Sequence, residues 1–211
     1  MKTIVFVDYW NLQATLQFED GRDQGHSGAA LRAHRFNIDW FGLGPKLTAL
    51  AEANASPLGN PLSLSYQETR IYSSADPTDA KFKGWVNNSL GRQPGIRVAC
   101  VDRKPKRNPC CAHCHREMDI CPHCQTPIQA TQEKGVDTHL VTDLLCLGLD
   151  GSYDVALLVS QDSDMAPAAA FLGTKGIKVI QVGIRHFGRG LAAKCWADFD
   201  LYPLRTSIQR V

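Results

Sequence analysis

Residues 155–164 read Val-Ala-Leu-Leu-Val-Ser-Gln-Asp-Ser-Asp, an apolar run followed closely by two acids. A continuous apolar run of this length is typical of a strand that is buried on both faces of a parallel sheet. An acid just beyond such a strand lies at the carboxyl edge of the sheet, where α/β folds place their functional sites. The pattern therefore predicts that Asp162 and Asp164 belong to a functional site.

A second apolar run with the same kind of ending opens the chain. Residues 3–7 read Thr-Ile-Val-Phe-Val, Asp8 follows them directly, and Asn11 adds another oxygen-bearing side chain beside the same strand end. If the two strands share a sheet, both groups lie at the same edge as Asp162. We therefore add Asp8 and Asn11 to the candidate site residues.

Two further acids, Asp137 and Asp143, stand in the helical pattern that precedes the run at 155–159. Their spacing separates the two side chains by about 120° on a regular helix, so both cannot point straight at one ion. We expect Asp137 to reach the site from the helix start. Asp143 would then be an outer ligand or a ligand of a second ion.

Clustered carboxylates repel one another, so each must be protonated or neutralised by a cation. Mg²⁺ and Mn²⁺ prefer oxygen ligands and are the expected ions. Taken singly, Asp137 and Asp162 could be helix N-caps, and Asp164 could be an acid in a first helical turn. Asp143 could face solvent, and Asp8 could simply end a strand. Their combination at two strand ends and one helix start favours a metal site.

The remaining patterns alternate between strands and helices. Strand patterns follow at 67–72, 96–101, 178–182 and 199–202, and helical patterns at 40–53, 79–90, 140–148, 163–174 and 191–196. This alternation predicts a parallel sheet with helices on both faces. Residues 19–37 are rich in glycine, charge and histidine without periodicity, which predicts a long loop or mobile flap. A break stands at 55–61, and no internal repeat is visible.

A cysteine-rich segment contains two Cys-x-x-Cys pairs. The pairs are Cys111 with Cys114 and Cys121 with Cys124. Each pair supplies two thiolates, and the two pairs together can complete a tetrahedral site for one Zn²⁺ ion. Such an ion would stabilise a segment that is too small to fold without it. The alternative ligands are Cys110 in place of Cys111, and His113, His115 or His123.

Four positive residues directly precede the cysteine pairs: Arg103, Lys104, Lys106 and Arg107. A charge run is often only a solvated face, but one that leaves a strand can also contact phosphates. Beside a zinc ribbon and an acidic metal site, we expect it to contact nucleic acid. Tyr9 and Trp10 could stack an unpaired base or pack beneath residues 19–37.

The chain has 211 residues and a formal net charge of +2, which fits one domain with a small insert at 103–130 and no global basic field. The first apolar run is too short for a signal-peptide core, and no segment approaches the ~20 apolar residues of a membrane span. We therefore expect a cytoplasmic protein, in which clustered cysteines bind metal rather than form disulfides.

Three blocks of sequence carry a family resemblance: Asp8-x-x-Asn11-Leu12, Lys134-Gly135-Val136-Asp137 leading to Asp143-Leu144-Leu145, and Leu158-Val159-Ser160-Gln161-Asp162-Ser163-Asp164. Together they resemble the NYN family, PIN-like ribonucleases within the PIN and FLAP-nuclease superfamily. Two later blocks, 176–179 and 191–199, are similar to the family's closing strand and tail. The resemblance implies an α/β, PIN-like Rossmannoid three-layer domain over residues 1–211, with a central parallel sheet and a zinc-ribbon insertion.

The resemblance also implies a Mg²⁺- or Mn²⁺-dependent endoribonuclease that hydrolyses phosphodiester bonds of single-stranded RNA. The implied metal ligands are Asp8, Asp137, Asp162 and either Asp164 or Asp143. Asn11 would orient a carboxylate, a water or the scissile phosphate. Family members often have glycine where this chain has Tyr9 and Gln161, so we expect these side chains to narrow the approach to the metals.

Other classes of protein remain as alternatives. The chain could be an RNA-binding zinc-ribbon module with an inactive or partner-dependent nuclease site, or a small phosphoester hydrolase. A phosphatase of the aspartyl-phosphate type needs a second Asp where Trp10 stands. A topoisomerase-primase site needs a Glu after an early strand, and none is present there. A homo-oligomer or a protein partner stays open.

Overall fold

The computed structural model describes residues 1–55, 62–111, 113–128 and 131–210. Its strands are β1 (Lys2–Asp8), β2 (Ser65–Ala75), β3 (Ile96–Asp102), β4 (Lys104–Pro105), β5 (Thr131–Gln132), β6 (Val155–Val159), β7 (Lys178–Gly183) and β8 (Ala197–Asp200). Its α-helices are α1 (Tyr9–Asp23), α2 (Gly28–Ala33), α3 (Leu43–Asn54), α4 (Ala80–Asn88), α5 (Val136–Leu149), α6 (Ala166–Thr174) and α7 (Arg189–Ala192). Short 3₁₀ turns lie at Leu90–Arg92, Ser163–Met165 and Tyr202–Ile208. Most of the break expected at 55–61 lies outside the described residues.

Six strands form one parallel sheet in the order β3-β2-β1-β6-β7-β8. The chain first adds strands on one side of β1 and then returns to place β6 on the other side, so the strand order reverses between β1 and β6. Val7 pairs with Val159 at the ends of these two strands, which puts Asp8 next to Ser160. Such a reversal leaves a crevice at the carboxyl edge, where open α/β sheets bind their ligands.

The two faces of the central strands enter different hydrophobic cores. In β1, Val5 and Val7 pack in one core with α1 and α3, whereas Ile4 and Phe6 pack in the other with α5 and α6. Because side chains alternate across a strand, a strand covered on both faces needs apolar residues at every position. The prediction of an α/β domain with helical layers on both faces of a parallel sheet is therefore confirmed.

The prediction of a long loop or flap at 19–37 is wrong. The end of α1 covers the start of this segment, and α2 covers its middle. Two buried acids of α1 pair with distant arginines, Glu19 with Arg185 at 2.6 Å and Asp20 with Arg205 at 2.8 Å. These ion pairs form with the far end of the chain, so the local sequence pattern gives no sign of them.

The last elements also differ from their predicted bounds. The helix expected at 191–196 is the shorter α7, which begins earlier, and the strand expected at 199–202 is β8, which ends earlier. A 3₁₀ turn follows β8, and its Ile208 is buried in the core beside α3. Among the described residues, no helix is both long and apolar enough to cross a lipid bilayer.

The segment between β3 and α5 leaves and rejoins the domain through the antiparallel pair β4–β5. Beyond this pair, equivalent backbone hydrogen bonds recur ten residues apart, from Cys111 N to Arg116 O and from Cys121 N to Thr126 O. His115 and Gln125 also correspond, with positive φ angles of 54° and 56°. An internal repeat is therefore present, contrary to the sequence expectation, and both copies contain Cys-x-His-Cys.

Candidate active site

Asp8 ends β1 and caps the N-terminus of α1. Its Oδ1 accepts a hydrogen bond from Asn11 N at 3.1 Å, and its Oδ2 accepts one from Ser160 Oγ at 3.5 Å. The residue is only 6% exposed. Its carboxylate is thus held at the sheet edge by one group from α1 and one from the turn that follows β6.

The environment of Asp8 disfavours its charged form. Burial is the largest cause that raises the pKa of Asp8, to about 7, and the charges of Asp137, Glu133 and Asp162 act in the same direction. The hydrogen bond from Asn11 N opposes them. A bound cation would favour the carboxylate, so the chemistry of these donors suits a hard, oxygen-preferring ion.

Asp162 and Asp164 occupy the turn after β6. Asp162 N donates to Ser160 Oγ at 3.1 Å, and Asp162 Oδ1 accepts from Asp164 N at 2.9 Å. The second bond caps the 3₁₀ turn, so Asp162 is an N-cap as well as a candidate site residue. Ser160 is fully buried and connects Asp8 with Asp162, a role that the sequence analysis missed.

Asp137 lies in the first turn of α5. Gly135 precedes the helix with a φ of 91°, a backbone conformation that residues with a side chain rarely adopt. Burial raises the pKa of Asp137, and the charges of Asp162, Glu133 and Asp164 raise it further. Asp137 and Asp164 also line one cavity of about 260 Å³. The helix start therefore faces the turn after β6.

The structure brings four of the predicted acids into one electrostatic group: Asp8, Asp137, Asp162 and Asp164. It adds Glu133, which the sequence analysis missed. The Glu133 carboxylate accepts a hydrogen bond from Ser74 Oγ and lies 3.8 Å from Arg103 Nη2. The available signal was its position directly before the Lys-Gly-Val-Asp block.

Asp143 is not brought into this group. Its Oδ2 accepts hydrogen bonds from Arg70 Nη1 and from Tyr72 Oη, both at 2.8 Å. Both partners belong to β2, so Asp143 joins α5 to the sheet. The six-residue spacing from Asp137 had already indicated that the two side chains diverge, and the structure gives Asp143 its own partners.

Asn11 contacts the backbone of the opposite turn. Its Oδ1 accepts a hydrogen bond from Gln161 N at 2.8 Å. The Gln161 side chain folds back to the end of β7, where its Nε2 donates to Val182 O at 3.3 Å and its Oε1 accepts from Ile184 N, just past the strand, at 3.2 Å. Tyr9 is buried and stacks on Trp40 at 4.4 Å between ring centroids. Tyr9 and Gln161 therefore pack against the domain, contrary to the expectation that they narrow the approach to the site.

The predicted zinc ligands occupy equivalent places in the two copies of the repeat. Backbone N–H groups of Cys114 and His113 lower the pKa of the Cys111 thiol, and the Thr126 hydroxyl lowers that of Cys124 to about 7. Lowered thiol pKa values favour the thiolate, which is the form that binds zinc. These donors therefore suit zinc chemically.

Cys110 differs from the paired cysteines. Its backbone forms an isolated antiparallel β-bridge with Glu117. In the second copy, Ile120 forms the equivalent β-bridge with Pro127. An isoleucine cannot ligate a metal, so the repeat favours Cys111 over Cys110 as the ligand position. Within the described residues, no three Cys, His, Asp or Glu side chains form a ready-made coordination shell, either here or at the acids.

The basic run divides into two parts. Lys104, Lys106 and Arg107 are exposed around the β4–β5 pair. Arg103 turns inward, where its Nε donates to Ser74 Oγ at 3.0 Å and its guanidinium lies 5.2 Å from the Trp10 ring. Only the first three are therefore free to contact a polyanion.

Comparisons with known proteins support the fold and the family. Among solved structures, the chain is similar to a crystal structure of a protein of unknown function from Vibrio parahaemolyticus, with 16% sequence identity, a TM-score of 0.50, and coverage of 94% of this chain and 91% of that one. That likeness shows the fold alone. A comparison with curated proteins found no match. The family model of the NYN domain matches residues 2–197, which include the whole acidic group. The chain therefore belongs to the NYN domain family, whose members are assigned as nucleases.

Proposed function

We propose that the chain is a Mg²⁺- or Mn²⁺-dependent endoribonuclease that hydrolyses phosphodiester bonds of single-stranded RNA. The observation that carries the proposal is the acidic group at the reversal of strand order, centred on buried Asp8 with its pKa raised to about 7. Acids from β1, α5 and the turn after β6 act on one another there. Membership of a nuclease family supports the same chemistry.

The residues of the site would divide the work as follows. Asp8, Asp137 and Asp162 would hold the ion or ions, with Asp164 and Glu133 beside them. When bound, such an ion lowers the pKa of a water molecule and neutralises charge on the phosphate. Asn11 and Ser160 position the two turns that carry the acids. This division requires no covalent nucleophile from the protein.

We also propose a structural Zn²⁺ held by Cys111, Cys114, Cys121 and Cys124. The ten-residue repeat supports it, because equivalent backbone hydrogen bonds follow the first cysteine of each pair. The exposed Lys104, Lys106 and Arg107 at the base of this segment would contact the RNA backbone. Zinc-bound thiolates imply a reducing compartment, so the expected location remains the cytoplasm.

The decisive experiment is a cleavage assay on labelled single-stranded RNA, with matched DNA and double-stranded RNA controls, in Mg²⁺, Mn²⁺ or EDTA. Wild type should make internal cuts that need the metal, and Asp8→Asn and Asp162→Asn should abolish them while remaining folded. Asp150→Asn is the matched control, because Asp150 is an exposed acid at the other end of α5. Full activity in folded Asp8→Asn would overturn the proposal.

A binding module is the second candidate. It is favoured by one observation, that Lys104, Lys106 and Arg107 are exposed at the base of the cysteine segment. In that case the zinc-loaded protein would bind RNA through its basic residues and leave it uncut in both metals. Turnover of a chromogenic phosphate ester with RNA left intact would instead indicate a small phosphoester hydrolase.

A further inference from the structure

A cavity of about 810 Å³ opens beside the acidic group and is unusually rich in tryptophan. The chain has four tryptophans, and three of them line this cavity: Trp10, Trp40 and Trp85. Its volume falls in the range of about 300–1,000 Å³ that is typical of small-molecule sites. The proposed nuclease chemistry leaves these aromatic side chains without a role.

Trp10 connects this tryptophan cavity to the acidic group. It stands two residues after Asp8 in the first turn of α1. Its Nε1 donates to Ser74 O at 2.7 Å, and the hydroxyl of the same serine donates to Glu133. Trp10 therefore lines the cavity and is also connected, through Ser74, to Glu133 of the acidic group.

The charges around the tryptophan cavity favour an anionic ligand. Arg35 and Arg210 line it, and both are exposed. In the described part of the chain, neither forms an ion pair with a carboxylate, and no acidic side chain lines the cavity. Two positive groups at the edge of an aromatic cavity match a phosphate attached to a flat ring system.

The cavity also offers hydrogen-bonding groups that suit a base edge. The buried Gln13 uses its Nε2 to donate to Gln17 Oε1 at 3.0 Å and to Phe36 O at 2.8 Å. No donor to Gln13 Oε1 and no acceptor for Gln17 Nε2 is found among the described residues. An amide oxygen and an amide N–H of this kind can pair with the polar edge of a nucleobase.

We propose that the tryptophan cavity binds one unpaired nucleobase of the RNA strand, with the attached phosphate against Arg35 and Arg210. The next phosphodiester along the strand then lies at Asp8. The inference rests on the proposed function and adds a subsite that selects unpaired RNA, because a base held in a duplex cannot enter an aromatic cavity.

The test measures RNA binding by tryptophan fluorescence. Full-length, zinc-loaded Asp8→Asn protein in Mg²⁺ is titrated with a short oligouridylate, and then with versions that lack the base at one position in turn. Loss of the base that occupies the cavity should weaken binding about tenfold or more, because one stacked base is worth about that much. Because this scan changes only the ligand, protein misfolding cannot produce the result.

Protein variants locate the bound base. Arg35→Ala and Arg210→Ala together should weaken binding. Arg32→Ala should not, because Arg32 is an exposed arginine in α2, three residues before Arg35, that does not line the cavity. Trp196→Phe should keep the fluorescence quenching, since Trp196 lines a different cavity. The proposal is overturned if no abasic position matters, if Arg32→Ala has the same effect, or if Trp196→Phe removes the quenching.

The outcomes separate this inference from the nuclease proposal. If wild type cleaves RNA but the abasic scan and the arginine variants leave its binding unchanged, the cavity inference fails and the nuclease proposal stands. If binding depends on one base and on the arginines but no cleavage occurs, the cavity inference stands and the nuclease proposal fails.

Discussion

Asn11 and Gln161 join the two halves of the sheet at the point where the strand order reverses. The side-chain oxygen of Asn11, in the first turn of α1, accepts a hydrogen bond from the backbone N–H of Gln161 at 2.8 Å. This bond sets Asp8 at the end of β1 against Asp162 after β6. Asn11 is therefore best described as a residue that positions the acids.

Replacing Asn11 with alanine should lower kcat about 10- to 100-fold, because the turn after β6 loses the bond that places it. The free energy of unfolding should fall by about 1 kcal/mol, since the Gln161 N–H loses its acceptor. Asn11→Asp keeps an acceptor at this position and should restore most of kcat at saturating metal. Equal kcat for Asn11→Ala and wild type would contradict the positioning role.

The raised pKa of Asp8 predicts an unusual dependence of stability on pH. Between about pH 4 and pH 7 the folded protein holds a proton on Asp8 that the unfolded chain has released, so the free energy of unfolding falls as pH rises through this window. Wild type in EDTA should be more stable at about pH 5 than at about pH 8 by an amount on the order of 2–4 kcal/mol. Urea unfolding at the two pH values measures this difference.

The matched control for this pH effect is Asp8→Asn, which cannot take up the proton. It should show a smaller difference between the two pH values, and it should be more stable than wild type at about pH 8 in EDTA. Saturating Mg²⁺ should stabilise wild type at that pH and leave the variant nearly unchanged. A wild type whose stability changes between about pH 5 and about pH 8 in the same way as that of Asp8→Asn would contradict the environment described for Asp8.

Asp143→Asn separates the structural position of Asp143 from the predicted catalytic one. The substitution weakens the contacts with Arg70 and Tyr72, and should cost about 1 kcal/mol of unfolding free energy. The value of kcat should stay within about twofold of wild type, because the side chain does not reach the acidic group. Asp137→Asn, on the same helix, should abolish cleavage. A comparable loss of cleavage in both variants would indicate that Asp143 does belong to the metal site.

Elemental analysis of purified wild type should find one zinc per chain. Cys114→Ser together with Cys121→Ser should release it, because the two changes together remove one ligand from each pair. Cys146→Ser and Cys110→Ser are the matched controls, since Cys146 is exposed on α5 and Cys110 corresponds to Ile120, which cannot ligate a metal, in the second copy of the repeat. Wild type without zinc, or zinc loss in Cys110→Ser, would contradict the ligand assignment.

Salt dependence should distinguish the two parts of the basic run. Lys106→Gln should reduce the slope of log Kd against log salt concentration by about 0.7, which is the contribution of one phosphate contact on a single strand. Arg103→Gln should leave this slope unchanged and lower kcat, because Arg103 contacts Ser74 and Trp10 and lies near Glu133. Equal slope changes in both variants would indicate that Arg103 also contacts a phosphate of the RNA.

Sequence patterns revealed the parts of the fold that depend on local periodicity. The runs at 3–7 and 155–159 predicted strands buried on both faces, and the acids that follow them come together at the reversal of strand order. This worked because strand ends in a parallel sheet share one edge. The end of α1, at 19–23, could not be predicted in the same way, because its buried acids depend on arginines from the other end of the chain.

The missed site residues were missed for related reasons. Ser160 and Glu133 act through contacts that only the folded chain creates, with Asp8 in one case and with Ser74 and Arg103 in the other. The ten-residue repeat, by contrast, was visible in the sequence as two copies of Cys-x-His-Cys. The cysteine spacing by itself indicates only a ligand pattern, whereas the repeat also depends on the matching histidines, His113 and His123.

The two ends of the cysteine segment lie side by side, so the segment between them could be exchanged for another. Its chain leaves and returns through β4 and β5, and the Arg103–Glu133 ion pair at 3.8 Å closes the loop at that point. Once two ends are fixed side by side, the entropy cost of the loop between them grows only slowly with its length. A segment of another size could therefore be grafted onto the same two strands without disturbing the sheet. Evolution could in this way exchange the segment that we propose to contact RNA and keep the acidic group unchanged.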